Sequence, residues 1–275
     1  MTLEATSAIP SRVRVALLVL VPTVLASICI FLPRIPQPQA YHSFADQRSF
    51  AGIPNFGPVV SNSPFAVVGI WGVIFLLRSS STSASQPFID SRERWPYLVA
   101  FAGILLTAFG SSYYHLDPNN ARLVWDRLPI MIALTATAAA VIAERVQLRA
   151  GLLLLPVFLF VGIASVLQWY ASELNGRGDL RFYGAVQVCS TLVLLIVLIF
   201  PARYTRRWDL AIVVGLYALA KILEQLDKPI FRLERVVSGH TLKHLVAAAA
   251  GYWLLRMLQK RRPREQLLQT GSELN

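Results

Sequence analysis

Apolar runs of about 20 residues recur along the chain, at positions 15–33, 57–77, 95–115, 124–144, 151–169, 182–200, 208–226 and 239–258. A run of that length is what an α-helix needs to cross the hydrocarbon core of a bilayer. In lipid every backbone N–H and C=O must be satisfied within the structure, so only helices or closed barrels can cross it. The runs are continuously apolar rather than alternating, which excludes the barrel. An all-α, polytopic membrane helix bundle of eight helices is therefore expected. A hydrophobic content of 55% against 15% charged residues fits no ordinary soluble domain.

The net charge of +11 would suit nucleic acid, yet the Lys and Arg residues stand at the ends of apolar runs, in short loops. That distribution follows the positive-inside rule rather than forming a binding stripe, so nucleic acid is not the expected partner. With eight spans the two termini share a side. The terminal segments and the loops at 78–94, 145–149 and 201–207 hold fifteen Lys and Arg, and the opposite loops hold nine. Both termini are thus expected in the cytoplasm, and the short loops suit a bacterial inner membrane. The first run is long and is followed by Ile35-Pro36-Gln37-Pro38, which favours a retained anchor helix over a cleaved signal peptide. Cys29 and Cys189 both fall inside apolar runs, which argues against a disulfide or a cysteine metal site.

The residues that carry chemistry are few. The chain has four histidines, and His240 and His244 lie one turn apart at the start of the last run, on one face of a helix. His115 ends another run, after Gly110-Ser111-Ser112-Tyr113-Tyr114. Ionisable groups at membrane depth are costly and mark functional sites. By the charge count His115 ends an outward-going helix and His240 and His244 begin an inward-going one, so all three sit near the outer face. Asp126, at the start of the next run, falls there as well. Three imidazoles leave one open position on a tetrahedral zinc, as catalytic sites require. Asp126 is the candidate proton acceptor for a water whose pKa zinc lowers to about 7. Ser111, four residues before His115, faces the same way and can donate to an oxyanion. His42 reads as an interfacial polar residue, and the bland readings of Asp126 are a helix N-terminal charge or a partner for Arg127.

Ser111-x-x-x-His115, Asp126 eleven residues on, and Gly239-His240-x-x-x-His244 in the last helix together resemble the alkaline ceramidase family. That family belongs to a superfamily of seven-helix membrane hydrolases that includes the adiponectin-receptor-like proteins. The resemblance spans residues 41–258. It leaves 1–40 as a tail with an extra transmembrane helix and 259–275 as a basic cytoplasmic tail. It implies a zinc-dependent amidase that cuts ceramide-like lipid substrates to a fatty acid and a long-chain base. His115, His240 and His244 would be the metal ligands, Asp126 the base and Ser111 the carbonyl-polarising group. The alternatives are a membrane receptor or sensor with a structural zinc, and a lipid esterase. Eukaryotic members carry an acidic calcium-binding segment before a Ser-Asn pair. Here Ser61-Asn62 stands, but the connector before it offers only Asp46, with Arg48 beside it, which argues against calcium. Lys243, between two of the expected ligands, would either snorkel outward or pair with Glu224 or Asp227.

Overall fold

The computed structural model describes residues 10–79 and 87–264. Residues 1–9 of the lead, 80–86 of one loop and 265–275 of the tail lie outside the described residues. The chain is an all-α helix bundle: α1 (Ser11–Phe31), α2 (Phe56–Val60), α3 (Ser63–Arg78), α4 (Arg94–Leu116), α5 (Asn120–Arg145), α6 (Leu148–Leu174), α7 (Arg181–Leu198), α8 (Asp209–Gln225), α9 (Asp227–Glu234) and α10 (Gly239–Lys260). Among the described residues, six of these helices, with α2 and α3 counted as one, are long and apolar enough to cross a membrane. The protein is a multi-pass membrane protein. The remaining long helices fall short for different reasons. α8 has 17 residues, and α10 has 22 but carries His240, Lys243 and His244.

α5 is the centre. The apolar stretch of α5 is 78% buried and that of α1 is 0% buried. The Ala-rich run Thr135–Ala143 makes this possible, because small side chains let neighbouring helices approach closely without a hydrophobic drive between them. α4 and α6 flank α5, α3 and α10 pack on α4, and α8 packs along α10. α1 touches the bundle chiefly through α7, so it is an added outer helix.

Two local features depart from the sequence reading. The run at 57–77 is one apolar stretch, but its helix breaks at Ser61 and Asn62. Pro64 has no N–H to give the Val60 carbonyl one turn earlier, and the Ser63 hydroxyl donates to that carbonyl instead at 2.8 Å. The Asn62 Nδ2 donates to the Pro58 carbonyl at 2.8 Å, which satisfies a carbonyl the break would leave open. The segment between α8 and α10, read as a loop, contains α9. Its signal was present: Asp227 opens it and Pro229 stands in its first turn, where a missing N–H costs nothing.

The end of the bundle far from the histidines is closed by an ion network. Arg261 is 1% exposed, pairs with Glu144, and lies over the Tyr204 ring at 4.0 Å. Tyr97 donates to Glu144 at 2.8 Å, and Tyr204 donates to Glu93. Tyr204 and Pro263 form a single β-bridge. The first residues of the expected tail, 261–264, are therefore docked on the bundle rather than free.

Candidate metal centre

Three helix ends meet to make the site. α4 ends just after His115. On this stretch Gly110 faces α5, where a methyl group would sit 2.0 Å from the Trp125 carbonyl oxygen. That carbonyl lies one turn before Pro129, which has no N–H to give it. A side chain at 110 would push α4 away from α5 at the level of Ser111 and Asp126. α10 starts at Ser238, whose hydroxyl caps the Thr241 N–H at 3.1 Å. Gly239 follows, because a methyl there would meet the Leu223 carbonyl oxygen at 2.4 Å. The Asp227 carboxylate then accepts the His240 N–H at 2.8 Å and, through its other oxygen, the Ala45 N–H at 2.8 Å.

These ends bring His115, His240 and His244 together. The three are 1%, 4% and 3% exposed, and their ring centroids form a near-equilateral triangle with sides of 4.8, 4.9 and 4.8 Å. One nitrogen from each lies within 4.8 Å of the others, so the group can hold a metal ion. Nε2 of His115 and Nε2 of His240 are 3.3 Å apart. Two ligands bonded at 2.0–2.1 Å across a tetrahedral angle stand about 3.4 Å apart, so the spacing fits a small tetrahedral ion. His244 supplies a second test. Its Nδ1 is 2.8 Å from the Ser61 hydroxyl, which also lies 3.1 Å from the Pro58 carbonyl. A hydroxyl has one proton, and the carbonyl can only accept it, so Nδ1–H donates to Ser61 and Ser61 donates to Pro58. Nε2 of His244 is then the bare lone pair, and it is buried with no protein partner. A buried acceptor in that state suits a ligand nitrogen.

Asp126 is 5% exposed and Ser111 1%, and the Ser111 hydroxyl is near enough to the Asp126 carboxylate to act on its charge. Both line a cavity of about 190 Å³ that also reaches His244. Its far walls are apolar, with Ile104, Leu134, Val213 and Leu254 among them. Arg127 does not pair with Asp126. Its guanidinium lies over Trp169 at 4.0 Å and donates to Gln37 at 2.6 Å. His42 is held outside the triangle, 2.9 Å from the Tyr114 hydroxyl and 2.9 Å from the Asn120 side-chain oxygen. Burial lowers its pKa below the ordinary value, while Asn120 opposes the shift. Lys243 neither snorkels nor meets Asp227. It pairs with Glu224 at 3.0 Å, inside the same cavity.

Sequence reasoning missed the layer behind the ligands. Ser61 orients His244, Asp227 fixes the backbone of His240, and Asn55 Nδ2 donates to the His115 carbonyl at 2.8 Å. Asn55 adopts left-handed backbone geometry (φ 48°), which Asn tolerates better than most residues. Phe44 packs between His115 and His240, with centroids at 4.6 and 4.5 Å. The Asp46 carboxylate is gripped through both oxygens by Arg48, whose guanidinium also donates to the carbonyls of Arg235 and Val236. Arg48 holds the Asp46 carboxyl below the usual carboxylate range. A tethered cation thus already occupies the one acidic group of the connector.

No known family model matches this chain, and no curated protein matches it either.

Proposed function

We propose that this protein is a zinc-dependent intramembrane amidohydrolase that cleaves the N-acyl bond of ceramide-like lipids. The observation that carries the reading is the buried histidine triangle beside Ser111 and Asp126 at the head of an apolar cavity. His115, His240 and His244 would hold the metal, and a zinc ion there supplies Lewis acidity and a water of lowered pKa. Asp126 takes a proton from the attacking water as its oxygen bonds to the acyl carbon. Gaining that proton weakens the hold of Asp126 on the Ser111 hydroxyl, which is then free to donate to the oxygen of the former carbonyl. Asp126 returns its proton to the nitrogen as the C–N bond breaks, leaving a fatty acid and an amine. The apolar far end of the cavity suits the acyl chain. A shallow groove between α7 and α8 shares Gln187, Tyr217 and Lys221 with the cavity and supplies a route from the lipid. The Lys and Arg asymmetry supports a reading with this end of the bundle at the outer face and both termini cytoplasmic, and the short loops suit a bacterial inner membrane.

The sensor alternative needs a structural zinc, and such sites are closed by four protein ligands. Among the described residues the cluster offers three. That supports an open, reactive position. The test is protein purified in nanodiscs, loaded with zinc and incubated with N-acyl sphingosines. Fatty acid release is expected, and either His240→Ala or Asp126→Ala should abolish it. Full metal occupancy without hydrolysis of any amide or ester lipid would overturn the enzyme. Cleavage of ester lipids alone would transfer the site to an esterase, and a metal-free wild type would remove the site itself.

A further inference from the structure

The cavity wall carries charges that a neutral ceramide does not use. Lys243 and Lys221 share a single carboxylate, Glu224, at 3.0 and 2.7 Å, and Tyr41 donates to it at 3.2 Å. Each ammonium has three N–H donors and gives one to Glu224. The Lys243 side chain is only 14% exposed, so its remaining donors face the protein interior and the cavity it lines. Arg127, 5% exposed, also lines the cavity, and its second terminal nitrogen has no hydrogen-bond partner. Among the described residues, the only other carboxylate on the wall is Asp126, beside Ser111. Among the described residues, three cations, of which Lys221 is 46% exposed, stand on this wall against two carboxylates. An unbalanced charge at membrane depth is expensive, and an entering anion relieves that cost.

We infer that the substrate is an N-acyl lipid whose amine half carries a carboxylate, which docks on Lys243 and Lys221. The inference rests on the amide-hydrolase reading and moves its substrate from a neutral ceramide to an acidic N-acyl lipid. Lys243 immediately precedes His244 in the chain and lines the same cavity, so the anion would sit on the amine side of the scissile bond. The acyl chain would occupy the apolar far end. Glu224 bridges the two ammonium groups. Tyr41, on the connector that also bears Phe44, ties this pair to the rest of the site.

The experiment compares N-oleoylglycine with N-oleoylethanolamine and N-oleoylsphingosine, which share the acyl chain but lack the carboxylate. Zinc-loaded protein is assayed in phosphatidylcholine nanodiscs, with Lys243→Gln, Lys221→Gln and Lys243→Arg as variants and metal content measured for each. For a desolvated charge contact, wild type should favour N-oleoylglycine in kcat/KM by about tenfold or more, and Lys243→Gln should erase that preference while the neutral amides stay within about twofold. Lys243→Arg should restore it. In parallel, binding of N-oleoylglycine to metal-stripped protein should weaken in Lys243→Gln and with added salt. Equal losses on all three lipids would make the lysines structural and overturn the inference. So would a wild-type preference for the neutral amides, which would nonetheless leave the hydrolase standing. If no amide is cleaved, the hydrolase falls, and charge-dependent binding to the metal-stripped protein alone decides the docking site.

Discussion

Ser61→Ala removes one oxygen that touches no metal and no substrate, yet it should weaken metal binding. The hydroxyl lies 2.8 Å from Nδ1 of His244 and relays that contact to the Pro58 carbonyl. Without it Nδ1–H is left with only the Pro58 carbonyl near it, the ring loses its closest contact, and Nε2 becomes a poorer donor. Loss of such a supporting hydrogen bond costs 10–100-fold in metal affinity, or about 1.4–2.7 kcal/mol. The upper half of that range is expected here, because His244 is 3% exposed and water cannot readily replace the hydroxyl. Zinc affinity would be read by competition against a chromophoric chelator in detergent at neutral pH. Ser63→Ala is the control, since that hydroxyl is exposed and bonds only to the Val60 carbonyl. An unchanged affinity in Ser61→Ala, with His244→Ala abolishing binding, would refute the relay and the tautomer it assigns.

Three other outcomes follow from the same geometry. Gly239→Ala places a methyl 2.4 Å from the Leu223 carbonyl and 2.7 Å from the Asp227 Cα. Overpacking against backbone should cost about 1–3 kcal/mol in denaturant unfolding, while Gly184→Ala, with open space around it, should cost nothing comparable. Arg261→Met strips the buried Glu144 of its closest cation and should destabilise by about 3 kcal/mol or more; the double variant with Glu144→Gln should recover most of that. His42 has a folded pKa below 6.5, so its neutral form is the one the fold favours. Its contribution is complete above pH 6.5 and is lost as pH falls through the folded value. The melting temperature of wild type should therefore drop more steeply below pH 6.5 than that of His42→Gln, and parallel curves would contradict this.

The helices were legible because a bilayer imposes a length on each run, and the placements at 95–115, 151–169 and 239–258 fall within α4, α6 and α10. α9 was not, since eight amphipathic residues produce no such run and only Asp227 and Pro229 announce them. The break at Ser61 was marked by Pro64 but is overridden in any reading that weighs apolar length alone. The histidine cluster was legible because helical spacing and a charge count both point to one end of the bundle. Its support was not. Ser61 and His244 are 183 positions apart, and nothing local to either predicts the contact. The partner of Lys243 was likewise undecided between Glu224 and Asp227. Tertiary structure settles it, because both oxygens of Asp227 are taken by the N–H groups of Ala45 and His240.

The stretch 41–56 reads as a connector, yet together with the first turns of the next helix, up to Ser61, it is the frame of the site. Each ligand touches it: Phe44 abuts His115 and His240, Asn55 holds the His115 carbonyl, and Ser61 holds His244. A loop packed against membrane helices has backbone groups that water does not reach, and these must find protein partners. Here one such partner belongs to the site itself, since Asp227 takes the N–H of Ala45 with one oxygen and that of His240 with the other. Ordering the loop and ordering the ligands are therefore one event. At the outer edge Ala51 and Gly52, both at positive φ, close a tight turn in which Phe50 and Ile53 exchange hydrogen bonds. Arg48 then fastens the loop to the carbonyls that end α9, using Asp46 as its counter-charge. That tether is internal, so the frame needs no added ion to hold it on the bundle. The three histidines it frames are spaced to hold a metal ion.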